Sequence, residues 1–159
     1  MIVFICGAAN AGKSTVGKML AEHLRAPFVE GDDIRKIFYW ETVEEVRPEV
    51  IATIGAVVQY LYQGHEDVVV AYPIWREDYE PLMAYLKDVK VPIHFVALNP
   101  NLERAVVNRG TRELEDWEVT WIKESYARGV NDPPFAKIID NTNISAQETL
   151  QLVLAAIGR

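Results

Sequence analysis

The stretch IVFICGAANAGKSTVGKML, residues 2–20, decides how the rest of the chain is read. Its first five residues are apolar and of strand length. At Gly7 the bulk falls away through Ala8, Ala9, Asn10 and Ala11 to Gly12, and an amphipathic helix follows over Lys13–Leu24 with Val16, Met19, Leu20 and Leu24 on one face. Small residues let the backbone curl with its amide hydrogens inward, which makes a nest for an anion. The free amides at the helix start add partial positive charge. Gly7, Gly12, Lys13 and Ser14 satisfy the spacing G-x-x-x-x-G-K-[ST], with the strand before it and the helix after it that the motif requires. The reading is a cradle for the phosphates of a nucleoside triphosphate built from Gly7, Ala8, Asn10, Ala11, Gly12, Lys13, Ser14 and Thr15. Lys13 reaches the terminal phosphates, the Ser14 hydroxyl ligates Mg2+, and Thr15 offers a further phosphate contact.

Working outward, strands alternate with helices and no hairpin signal joins them. A second strand fits residues 27–30. Pro48 and Gly64 bracket a buried helix over 50–62. Val68–Ala71 is a β-branched run suited to a strand covered on both faces. Asp78 is placed as the cap of the next helix, with Leu82, Tyr85, Leu86 and Val89 on one side. Ile93–Leu98 is the fourth strand, with Asn99 and Pro100 opening a helix, and 136–140 is the fifth. Ser145 and Glu148 form a capping box for the last helix. This order predicts an α/β fold of three layers, a five-stranded parallel sheet with helices on both faces, in one domain over 1–159. Ligand chemistry then belongs at the carboxyl ends of the strands.

Composition narrows the partners. Of 159 residues, half are hydrophobic and a quarter charged, as in an ordinary globular protein. The formal net charge of -7 argues against a broad nucleic-acid footprint and for a small molecule. No apolar run is long enough for a membrane span, and the first strand lacks the flanks of a signal peptide, so a cytoplasmic setting is expected. The single cysteine, Cys6, reads as a small buried hydrophobe. His23, His65 and His94 have no partner at motif spacing and read as structural or surface residues. The sequence is silent on oligomeric state.

The phosphate cradle alone names no reaction. There is no N-K-x-D signature, and the third strand is followed by Ala71, Tyr72 and Pro73 where a water-activating ATPase needs an acid. The acids stand after the second strand instead, in EGDDIRKIF, with Arg35 one helical turn beyond Asp32. A hydroxyl attacking phosphorus needs an acceptor about 2.6–3.2 Å away, and an arginine fork suits an anionic group on the acceptor. The same carboxylates would also cap a helix starting near Ile34.

At this segment the chain resembles the small-metabolite kinases of the P-loop superfamily: shikimate kinase, adenylylsulfate kinase, chloramphenicol phosphotransferase and the 5'-hydroxyl polynucleotide kinases. The D-G-D-N-[IV]-R and D-D-x-R segments of two of these groups are similar to residues 31–35. The resemblance implies a P-loop NTPase fold with a small lid over about 109–117, and transfer of the γ-phosphoryl of ATP to a hydroxyl of a small metabolite. It makes Asp32 the base and Arg35 the clamp on the acceptor; Asp33 is the alternative base or, instead, a holder of Mg2+ through water. From LNPNLERAVVNRGTR it implies lid arginines: Arg109 on the adenine or phosphates, the catalytic Arg112 on the phosphates, and Arg104 as a further candidate. AYPIWRED is loosely similar to the matching stretch of adenylylsulfate kinases and offers Tyr72, Trp75 and Arg76 to the acceptor. DNTN, residues 140–143, falls where the superfamily contacts adenine. Trp40, Trp75, Trp117 and Trp121 read first as core or lid packing. The G-G-G loop of shikimate kinases is missing, and nothing selects one acceptor. Two other readings stay open: a kinase of 5'-hydroxyl nucleic-acid ends, and a nucleotide-binding regulatory module without transfer activity.

Overall fold

Every residue of β1 (Ile2–Cys6) is buried, because the strand lies in the middle of its sheet with a helical layer on each face. The computed structural model describes residues 1–39, 42–108 and 113–159. β2 (Phe28–Glu30), β3 (Val68–Ala71), β4 (Ile93–Leu98) and β5 (Lys137–Ile139) complete a five-stranded sheet in the order β2-β3-β1-β4-β5. All pairs are parallel, with Ile5 opposite Ala71 on one side and Cys6 opposite Ala97 on the other. Burial on both faces explains why β1 and β3 show no polar alternation.

Successive side chains of β1 point to opposite faces and feed two cores. Ile2, Phe4 and Cys6 pack with α3 (Val43–Tyr62) and α4 (Arg76–Tyr85), through Val50, Ile54, Val58 and Leu82, and with Leu86 at the end of α4. Val3 and Ile5 pack with α1 (Lys13–Leu24) and α7 (Ala146–Ile157), through Val16, Leu20, Leu150, Val153 and Ile157. This is the three-layer α/β arrangement expected from the sequence. Burial pushes the Cys6 thiol up to about 12, so it stays protonated and packs as a hydrophobe. Among the described residues, no helix is long and apolar enough to cross a membrane.

Four local expectations are corrected. The helix expected to start at Pro48 begins at Val43, capped by Thr42, whose hydroxyl and the Glu45 carboxylate form a capping box. That box satisfies two amides, while Pro48 forfeits only one bond within the helix. Asp78 is not the cap of α4: Trp75 holds that place, and Asp78, three residues in, accepts from the Trp75 amide at 2.6 Å. The short α5 (Leu102–Ala105) is capped by Asn101 rather than Asn99, its side-chain oxygen accepting from the Arg104 amide at 2.8 Å. β5 is an edge strand of three residues, shorter than 136–140, because it has β4 alone to pair with. The helix weighed near Ile34 starts earlier, as α2 (Gly31–Arg35), with both aspartates inside it, and α6 (Asp116–Ala127) went unforeseen. Trp117, expected in a lid, stands in the first turn of α6.

Candidate active site

The loop between β1 and α1 turns on three residues of positive φ: Gly7 at 121°, Asn10 at 59° and Gly12 at 95°. At Gly7 a Cβ would stand 2.3 Å from the Leu98 carbonyl oxygen, so only glycine fits both the dihedral and the space. Gly12 caps α1 without a side-chain hydrogen bond, which leaves the first amides of the helix available to an anion. Ala8 and Ala11 are buried beneath the curl. Lys13 is largely buried and donates to the Ala8 carbonyl at 2.8 Å, folded along the loop it serves.

This loop forms part of the wall of a cavity of about 1060 Å³. Asn10, Gly12, Lys13, Ser14 and Thr15 line it. Asn141, Ile144, Ala146 and Thr149 extend it toward the start of α7, while Asp32, Arg35, Arg47, Tyr72, Trp75 and Trp121 wall the other half. The carboxyl ends of β1, β2, β3 and β5 thus open into one space, as a parallel sheet dictates.

Asp32 reaches that space in the first turn of α2, and Arg35 follows on the same short helix. The Arg35 Nε is buried and has no hydrogen-bond partner among the described residues. Asp33 does not join them. It pairs with Lys36 at 2.7 Å on an exposed face, outside the cavity lining. The carboxylate beside the Ser14 hydroxyl is Glu30, at the end of β2, and that hydroxyl favours its ionised form. Burial above all, with the Asp32 charge adding to it, raises the Glu30 carboxyl above its ordinary range. Sequence reasoning missed Glu30 because its partner lies sixteen positions away and only the sheet brings them together. Ser14 and Glu30 offer hard oxygen donors of the kind magnesium takes, and among the described residues no group of three or more His, Cys, Asp or Glu gathers to hold a metal.

Tyr72 closes the far wall, its ring packed so tightly on Gly31 that a Cβ there would lie 2.4 Å from it. Burial pushes the phenol up to about 12, so it remains a neutral donor. Arg76 is exposed and does not line the cavity. Arg47, also missed, does: it is buried, grips Asp78 through Nε at 2.9 Å and through Nη2, and donates to the Pro73 carbonyl. The Trp75 ring lies 3.5 Å from the Arg47 guanidinium and 3.8 Å from that of Arg128. Trp75 is therefore a packed wall, as expected, whereas Trp117 is 65% exposed at the cavity.

On the opposite side, Asn141 is buried, donates to the Ala11 carbonyl at 3.0 Å and leaves its own side-chain oxygen without a partner among the described residues. Arg104 lines a separate hollow of about 230 Å³ with Thr142 and Asn143. None of the three histidines lines the cavity. Arg109, Arg112 and Trp40 lie outside the described residues.

Comparison with solved structures places this architecture. A gluconokinase from Sinorhizobium meliloti 1021 superposes with a TM-score of 0.71 at 22% identity, over 99% of this chain and 91% of that one. A sugar kinase from Janibacter sp. HTCC2649 gives 0.73 at 14% identity, over 99% and 94%. An APS kinase from Mycobacterium tuberculosis, solved in complex with AMPPNP and APS, gives 0.65 at 18% identity, over 99% and 97%. The chain has the fold of the P-loop small-metabolite kinases. The family model for shikimate kinase matches residues 9–59, which run from the phosphate loop through Asp32, Arg35 and Arg47 to most of α3. Comparison with curated protein sequences gives no match. Within this fold the phosphate loop, β2 and β3 ends described above occupy the carboxyl edge of the sheet.

Proposed function

We propose that the protein is an ATP-dependent kinase that transfers the γ-phosphoryl group to a hydroxyl of a small metabolite. The observation that carries this reading is the single cavity in which a phosphate nest with Lys13 faces the carboxylate of Asp32. The loop amides and Lys13 hold the triphosphate and stabilise the charge that develops on it. Asp32 accepts the hydroxyl proton and aligns the attacking oxygen. Arg35, with its buried Nε uncommitted, orients the acceptor through an anionic or hydroxyl group, and the neutral Tyr72 phenol stands as a further donor. The Tyr72, Trp75 and Trp121 wall keeps water, the competing acceptor, from the nucleophile's place. Magnesium would be held by Ser14 and Glu30, in place of the Asp33 expected from the sequence, and supplies charge neutralisation of the phosphates when bound. Arg109 and Arg112 remain proposed contacts of the nucleotide. By the same proposal, this ATP chemistry sits in the cytoplasm.

The test is Asp32→Asn assayed against a panel of hydroxyl metabolites with ATP and magnesium. Turnover with at least one acceptor is expected from the native chain, with a loss of about 100-fold or more in the variant and ATP affinity retained. ATP binding without turnover across the panel would identify a regulatory module instead, and selective phosphorylation of a 5'-hydroxyl oligonucleotide would redirect the acceptor class.

A further inference from the structure

Asn10 departs from its neighbours in the phosphate loop. It occupies the left-handed region at φ 59°, where glycine is the usual economical choice, and its side chain joins a segment 95 positions further along the chain. Its Nδ2 donates to the Ala105 carbonyl at 2.8 Å and to the Val107 carbonyl at 3.0 Å, which belong to the end of α5 and the residues beyond it. Helix ends leave such carbonyls without partners, so a donor there fixes where the chain leaves the helix. One residue on, the Asn108 Oδ1 accepts from the Leu114 amide at 2.9 Å. Leu114 runs directly into α6, whose first turns carry Trp117, Glu118 and Trp121 onto the cavity. The far end of α6 is held separately, by the Tyr126 hydroxyl donating to the Pro100 carbonyl.

From this chain of contacts we infer that Asn10 is a positioning residue: it ties the phosphate loop to the start of α6, so that filling the loop sets the wall of the acceptor half of the cavity. The two substrates of the proposed kinase are thereby coupled, and by reciprocity each strengthens the other's hold. The inference rests on that functional reading for its purpose, but not for its test.

The test compares amide exchange in the native chain and in Asn10→Gly, which keeps the left-handed turn and removes only the side chain. Without nucleotide, the amides of Ala105, Val106, Leu114 and Val119 are expected to exchange about tenfold faster in the variant. Those of β4 and of Arg128, at the far end of α6, should be unchanged, which also reports that the variant is folded. A non-hydrolysable ATP analogue with magnesium should slow exchange at Lys13 and Ser14 in both proteins, but at Leu114 and Val119 in the native chain alone. Equal exchange at Leu114 and Val119 in the two proteins, with and without the analogue, would overturn the inference. An analogue that protects Lys13 and Ser14 in neither protein would instead overturn the proposed function, and the comparison without nucleotide would still decide on the tether.

Discussion

Glu30 carries a cost that its position explains. A half-buried carboxylate between the Ser14 hydroxyl and the Asp32 charge is held with its carboxyl raised, so its ionised form weakens the folded state. The penalty is absent below the ordinary carboxyl range near 4.5 and is fully present once the pH rises above the folded value. Glu30→Gln should therefore melt higher than the native chain at neutral pH without magnesium, and the difference should close as the pH falls below about 4.5. The same variant should weaken magnesium-dependent nucleotide binding by about tenfold or more. Melting curves across pH, paired with titration of the nucleotide with and without magnesium, check both halves. A variant that melts no higher while binding normally would show that Glu30 is a bystander. The sequence announces the neighbouring pair Asp32 and Asp33 far more loudly than Glu30. A run of acids is visible along the chain, whereas which of them faces Ser14 depends on how β2 ends beside the loop.

Local signals located most of the elements, and they failed where two signals competed. Gly7 with Gly12, the β-branched run of β3 and the Ser145 capping box each placed an element end correctly. At the start of α3 a proline looked like a helix beginning, yet Thr42 and Glu45 hold that end. Extending the helix back to Val43 brings Arg47 into line with Val43, Val50 and Ile54 on the inward stripe. A charged residue on such a stripe needs a buried partner. Asp78 is that partner, and both members of the pair are about 5% exposed. It thereby joins α3 to the first turn of α4 and holds Trp75 in the cavity wall. Asp78→Ala leaves a buried guanidinium uncompensated and should cost about 3–5 kcal/mol, lowering the melting temperature by roughly 10 °C in a chain of this size. The double variant Arg47→Met with Asp78→Leu removes both charges and should recover much of that loss. If the double variant is as unstable as the single one, the damage comes from packing and capping rather than from the stranded charge.

At the scale of the whole molecule, the strand order puts β1 between β3 and β4, so the chain leaves β1 at the centre of the carboxyl edge, where a crevice forms. That the sheet is parallel was legible in the sequence, because its strands are continuously apolar and helices separate them. That the carboxylate after β2 lies near the phosphate loop was legible too; that α6 supplies part of the cavity wall was not, since α6 has mixed polarity along its length and gave no clear period to read. The shared cavity has a thermodynamic consequence. A ligand that binds only the folded chain stabilises it by mass action, about 2.7 kcal/mol at one hundred times its dissociation constant. For a domain of this length that corresponds to roughly 5–10 °C in melting temperature. A non-hydrolysable ATP analogue with magnesium should produce such a shift in the native chain and lose most of it in Lys13→Ala, which removes the one full positive charge of the loop. With the analogue present, a true acceptor should add its own increment, larger than it gives alone if the phosphate loop and the α6 wall are coupled. Equal shifts in the native chain and Lys13→Ala would place nucleotide binding elsewhere. Acceptor shifts indifferent to the analogue would mean that the two halves, though they share a cavity, bind independently.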